Sequence, residues 1–145
     1  MSLVLYWNVA SQPARAVKAL LNIGKIPHQA ITMDINNNET RTKEYLLKNP
    51  LGQIPFITEG EFKLAESNAI LVYLCEKHPV LAKYYGNTIT QRGLVNQHLS
   101  WYQNSFRPAL FKIIYLKIYE GIKRQKPVFR SAVEAAEKEM ESAMS

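Results

Sequence analysis

The chain has 145 residues, enough for one ordinary domain or for a small domain with part of a second, and 47% of them are hydrophobic against 21% charged. That balance builds a core and excludes a disordered chain, while the longest uncharged apolar run, Ala69 to Cys75, falls far short of the ~20 residues of a membrane-spanning helix, so no membrane partner is expected. A net charge of +6 invites a search for anionic partners, and a single cysteine, Cys75, with three scattered histidines, His28, His78 and His98, excludes an internal disulfide and gives no metal-ligand spacing.

Leu3-Val4-Leu5-Tyr6-Trp7 is a short β-prone run, broken by Asn8 to Gln12. Pro13 suits the first turn of a helix, whose apolar side holds Ala16, Val17, Leu20, Leu21 and Ile23 until Gly24 ends it. Pro27 to Ile35 predicts a second strand, and together these form a βαβ unit with parallel strands. Asn36-Asn37-Asn38 is a loop, Thr40 to Lys48 a short helix stopped by Asn49-Pro50, and Ile54 to Thr58 a strand that turns through Glu59-Gly60-Glu61 into Phe62-Lys63-Leu64. From Ser67 to His78 an almost wholly apolar helix follows, as expected between a sheet and another layer. The order is βαβ, helix, ββα, that of a thioredoxin-like α/β fold. The N-terminus carries no basic region followed by a long apolar stretch, so a cytoplasmic location is expected.

From Thr90 the apolar residues Leu94, Trp101, Phe106, Leu110, Ile113, Ile114 and Ile118 recur at three- and four-residue steps, predicting a long helix that Pro108 should kink. After Pro127 a Glu-rich helix runs from Ser131 to Met144, with Val133, Ala136, Met140 and Met144 expected to face water. Domains are therefore read as residues 1–80, a linker at 81–89, and an incomplete all-α domain at 90–145. The charge excess lies mostly in the second part, where seven basic residues fall between Arg107 and Arg130 against one acid, Glu120. No aromatic interleaving or nucleic-acid motif accompanies this strip, so nucleic acid is not an expected partner.

Three segments resemble one family. Leu5-Tyr6-Trp7-Asn8-Val9-Ala10-Ser11-Gln12-Pro13-Ala14-Arg15 is similar to the strand, loop and first helix of cytosolic glutathione transferases of the theta-like, serine class; Asn49-Pro50-Leu51-Gly52-Gln53-Ile54-Pro55 resembles their turn with a cis-proline; Glu66-Ser67-Asn68 resembles the start of their third helix. The resemblance is dense over residues 1–87 and loose beyond. Members carry a helical second domain of well over 100 residues, whereas 58 follow residue 87 here, so the resemblance implies a C-terminally truncated helical domain.

The implied activity is conjugation of glutathione, as co-substrate, to small electrophiles. A thiol of pKa ~8.5 is mostly protonated at neutral pH, so stabilising its thiolate is the central task. The resemblance assigns that to Ser11 as a hydrogen-bond donor beside a helix N-terminus, although serine there is also an ordinary N-cap. Tyr6, the residue type that other classes use, lies inside the first strand and is read as core. Gln12, Gln53, Ile54, Pro55, Glu66 and Ser67 are implied to bind glutathione: the Ile54 main chain its cysteinyl part, and Glu66 with Ser67 its γ-glutamyl end. Thr40 and Gln53 stand where theta-like members carry a histidine and a lysine, leaving Arg41, Lys43 or the Gln53 amide to meet the glycyl carboxylate. Arg107 is implied to face the electrophile. A homodimer is expected, no metal is needed, and thiol-transfer chemistry is not expected because Cys75 lies in the third helix. A non-catalytic interaction module is the alternative function.

Overall fold

The computed structural model describes residues 2–125 and 127–144. The chain divides into two compact units, Met1–Ile89 and Thr90–Ser145.

The first unit is a four-stranded sheet in the order β2-β1-β3-β4, made of β1 (Leu3–Trp7), β2 (His28–Thr32), β3 (Phe56–Glu59) and β4 (Phe62–Ala65). β2 runs parallel to β1, as the βαβ pattern predicts, and β3 and β4 are antiparallel to their neighbours. Because side chains alternate across a strand, β1 supplies both faces. Leu3 and Leu5 enter the core with α1 (Gln12–Ile23) and α3 (Ser67–Lys77), among fully buried Val17, Leu21, Ile57, Ile70 and Leu74. Each such side chain contributes about 1.5–3 kcal/mol by leaving water. Tyr6 points to the other face, where it forms a smaller cluster with Met33, Phe56 and Tyr45 of α2 (Lys43–Lys48).

Local side-chain chemistry moves several boundaries away from the sequence reading. β2 ends at Thr32 rather than Ile35, because the Asp34 carboxylate accepts from the Asn36 and Asn37 amides at 2.9 and 3.1 Å and turns the chain. Residues 40–48 are not one helix: Glu39–Arg41 is a single 3₁₀ turn, and Thr42, extended at φ −66° and ψ 148°, opens α2 by accepting from the Tyr45 amide at 3.3 Å. β3 begins two residues after Ile54, beyond the cis Ile54–Pro55 peptide. Residues Pro79–Tyr84 form a 3₁₀ segment in which Leu81 is completely buried, and Tyr85 after it is buried too, so both belong to the core of the first unit. A Cβ on Gly24 would meet Leu81 Cδ2 at 2.7 Å, so a side chain at the end of α1 would have to displace Leu81.

In the second unit, α4 (Ile89–Trp101) widens into a π-helical stretch, Tyr102–Phe106, before α5 (Arg107–Ile114), and a second π-helical stretch, Tyr115–Lys123, follows. Pro108 sits in the first turn of α5, directly after the widened stretch, and its ring nitrogen has no hydrogen to donate to the preceding turn. α6 (Arg130–Met144) packs against α5. Of its apolar positions expected to face water, Ala136 is instead completely buried and Val133 and Met140 are half-buried; Met144 is exposed. The Trp101 indole N–H donates to the Ala143 carbonyl at 2.8 Å, fixing the end of α6. The apolar residues at the surface of this unit include Leu94, Phe111, Ile114 and Ile118.

The basic strip is largely paired. Lys112 bonds Glu139 at 2.7 Å and Lys117 bonds Glu137 at 2.8 Å, both across to α6, while Arg124 meets Glu120 and Arg130 meets Glu134 within one turn. Lys126 lies outside the described residues, as does the Lys123 side chain.

Candidate functional site

Strand register gathers three segments at one end of the sheet. Tyr6 of β1 pairs with Phe56 of β3, which pairs with Ala65 of β4, so the residues just after β1, just before β3 and just after β4 all leave the sheet at the same end. Ser11, Ile54 and Ser67 belong to those three segments, and the N-termini of α1 and α3 both open there.

The first segment is held by Asn8. Its amide donates to the Met33 carbonyl at 2.7 Å and its side-chain oxygen accepts from the Ala10 amide at 2.8 Å, while Arg15 reaches back to the Val9 carbonyl at 2.6 Å. Ser11 is therefore placed by its neighbours: its amide donates to the Asn8 carbonyl at 3.1 Å, and its backbone is extended at φ −85° and ψ 108°. The half-buried side chain makes no capping bond and has no other partner among the described residues. An N-cap serine normally spends its hydroxyl on the helix amides. This one keeps it available beside amides whose partial positive charge favours an anion. Gln12 opens α1 with its side chain exposed.

The second segment hangs on Asn49, 1% exposed. Its amide donates to the Gln53 carbonyl at 2.8 Å and its oxygen accepts from the Leu51 amide at 3.2 Å. The Tyr45 hydroxyl donates to the same Gln53 carbonyl at 2.8 Å. Gly52 lies at φ +60°, where a Cβ would stand 2.9 Å from the Thr40 carbonyl, so the turn admits no side chain. Beyond it the Ile54 N–H and C=O have no main-chain partner among the described residues, leaving a short strand-like edge beside Pro55. The Gln53 side chain is exposed; Thr40 is buried, whereas Arg41 is exposed and reaches the Leu51 carbonyl at 3.4 Å.

In the third segment Glu66 adopts φ +67° and ψ 113°, a region costly for any residue but glycine, and presents an exposed carboxylate with no capping bond ahead of Ser67. This strain is a site feature that sequence reasoning missed.

The fold brings together Ser11, Gln12, Gln53, Ile54, Pro55, Glu66 and Ser67; Arg107 belongs to the helical unit. Tyr6 is core, its ring 5.7 Å from those of Tyr45 and Phe56. Cys75 is buried in α3, and burial pushes its thiol pKa up, with a further push from the Glu76 charge, opposite to what a reactive thiol needs. A separate cleft of about 350 Å³ lies beneath α2, lined by Tyr6, Met33, Glu39, Tyr45 and Lys48, and contains none of the converging residues. Among the described residues no group of His, Cys, Asp and Glu is arranged to hold a metal ion, and no helix is long and apolar enough to cross a membrane. Asn8, Asn49 and Tyr45 were not singled out from the sequence, where Asn49-Pro50 signals only the end of a helix.

Comparison with known proteins gives this arrangement a family. Residues 1–76 match the family described as Glutathione S-transferase, N-terminal domain. The chain belongs to the glutathione S-transferase family. It is 32% identical over 118 residues to Glutathione S-transferase theta-2 of Mus musculus, an overlap of 81% of this chain and 48% of the mouse protein. Among solved structures, apo human glutathione-S-transferase T1-1 matches 99% of this chain and 60% of its own, with a TM-score of 0.92 and 27% identity. Human glutathione transferase theta-2, solved in complex with glutathione and an unknown ligand, matches 99% of this chain and 58% of its own, with a TM-score of 0.88 and 29% identity. The chain thus spans about half the length of the curated relatives it matches.

Proposed function

We propose that this chain binds glutathione at the sheet end where Ser11, Ile54 and Ser67 converge, and that it conjugates the tripeptide to small electrophiles. The observation that carries this reading is the Ser11 hydroxyl, placed at the N-terminus of α1 and uncommitted to capping. It donates to the glutathione sulfur and, with the helix dipole, favours the thiolate over the thiol. The thiol proton leaves to solvent, the thiolate attacks an electrophilic carbon, a C–S bond forms, and the electron pair departs with a leaving group or passes into the acceptor. The Ile54 N–H and C=O pair with the cysteinyl unit as an added strand would, and Pro55 flanks them. Glu66 and Ser67 meet the γ-glutamyl ammonium and carboxylate. Gln12, Gln53 and the exposed Arg41 and Lys43 face the glycyl end. The relative that carries glutathione in its structure supports the choice of ligand. No metal enters the chemistry. The protein acts as a cytoplasmic homodimer, whose mass light scattering measures.

The test is thermal melting with and without millimolar glutathione. A ligand bound only by the folded state stabilises by RT ln(1 + [L]/Kd), about 2.7 kcal/mol at a hundredfold excess over Kd. The expected result is a melting temperature that climbs with glutathione and is unmoved by the same concentration of a simple thiol. No rise at any concentration rejects the proposal.

A further inference from the structure

Gln53 contributes more than its side chain, because its carbonyl is gripped twice. Tyr45 Oη and Asn49 Nδ2 each donate to it at 2.8 Å, occupying both lone pairs from the protein side. The Gln53–Ile54 peptide is trans and planar, so its C=O and N–H point in opposite directions. Turning the carbonyl inward turns the Ile54 N–H outward.

We infer that Tyr45 is a positioning residue for substrate binding: its hydroxyl, anchored in the aromatic cluster on the sheet, fixes the peptide plane that presents the Ile54 N–H to a bound peptide thiol. The anchor is stiff. Tyr45 is 4% exposed, and its ring meets those of Tyr6 and Phe56 edge-on at centroid distances of 5.7 and 6.1 Å. Those partners sit on β1 and β3, so the hydroxyl position is tied to the sheet rather than to the loop it holds. Burial pushes the phenol pKa up, opposed in part by Asn49, so the group stays a protonated donor at neutral pH. Asn49 alone fixes one direction at the carbonyl; the second donor removes the freedom of the plane to rock about it.

This inference rests on the glutathione reading, and the experiment separates the two. Tyr45→Phe removes one oxygen and keeps the ring packing. Steady-state kinetics with varied glutathione are run on both proteins, together with carbon NMR of the Gln53 carbonyl, which moves upfield when a hydrogen bond to it is lost. The expected result is an upfield shift, a KM for glutathione raised about three- to tenfold, the worth of one neutral hydrogen bond, and an unchanged kcat. A purely structural loss lowers the active fraction, and so the apparent kcat, and leaves KM alone. If the wild type binds glutathione and Tyr45→Phe binds it equally well, the inference is overturned and the glutathione reading stands. If the wild type shows no glutathione binding, the glutathione reading falls and this inference falls with it.

Discussion

Replacing Ser11 with alanine separates two roles that one hydroxyl can fill. A serine whose side chain caps a helix stabilises the protein by about 1 kcal/mol relative to alanine. The Ser11 hydroxyl makes no capping bond, so Ser11→Ala should change stability by less than about 0.5 kcal/mol. Its effect on a bound thiolate is larger, because a hydrogen bond to a charged group is worth about 1.5–3 kcal/mol. At 1.36 kcal/mol per pKa unit, the bound thiol's pKa should rise by about one to two units, and conjugation at pH 7 should fall about ten- to a hundredfold. The assay is a pH–rate profile with saturating glutathione, paired with ultraviolet titration of the bound thiolate. The deficit should shrink as pH rises, because hydroxide then does what the hydroxyl did. Tyr6→Phe is the control, its ring packed in the core with Met33, Tyr45 and Phe56, and should be nearly silent. A variant that loses about 1 kcal/mol of stability, with an activity loss independent of pH, would show that Ser11 is a cap and refute the reasoning.

The interior and the charges give three further expectations. Gly24→Ala pushes a methyl to within 2.7 Å of Leu81 and should lower stability by about 1–3 kcal/mol, seen as an earlier urea midpoint at unchanged slope; an unmoved midpoint would mean that Leu81 yields freely. The hydrogen bond from Lys77 is the main cause that lowers the Glu59 pKa below its usual 4.5 and, reciprocally, raises that of Lys77 above 10.5. The stabilisation from this pair is therefore complete between those values, lost in acid as pH falls through the lowered Glu59 pKa, and lost in base through the raised Lys77 pKa. Lys77→Met should be less stable than wild type at pH 7, with the two converging in acid melts; a constant gap down to pH 2 contradicts the pairing. Ala136→Leu adds volume where the side chain is completely buried, and helical circular dichroism should melt earlier than in wild type; an unmoved melt contradicts that packing.

The order of elements was legible because alternating and helical apolar patterns are local, and Pro13, Gly24 and Gly60 punctuate them. The candidate site was read as three motifs, and the sheet register brings the segments near residues 11, 54 and 66 to one end of the sheet. What escaped the sequence reading depends on side chains binding main-chain groups. Asp34 ends β2 early by taking two amides, and Thr42 divides a helical-looking stretch by capping its second half. Neither aspartate nor threonine announces such a role by periodicity. The Tyr45 and Asn49 grip on Gln53 is less visible still, since it joins a helix face, a helix end and a carbonyl that carries no sequence signature. The strip from Arg107 to Arg130 looked like a basic surface because three of the four acids that pair with it, Glu134, Glu137 and Glu139, lie beyond it in sequence.

Leu81 has a consequence for cutting the protein. A fragment ending at residue 80, the domain boundary read from the sequence, would retain Gly24 and lose the side chain that packs against it. Water would then reach the end of α1 and the buried face of α3, and the fragment would stain with apolar dyes and be clipped readily by proteases. Extending the same fragment to Gly86 restores Leu81 and Tyr85, both buried in the intact unit, at the expense of six more residues. The shorter and longer fragments differ little in sequence, yet of the two only the longer carries the side chain that closes over the end of α1.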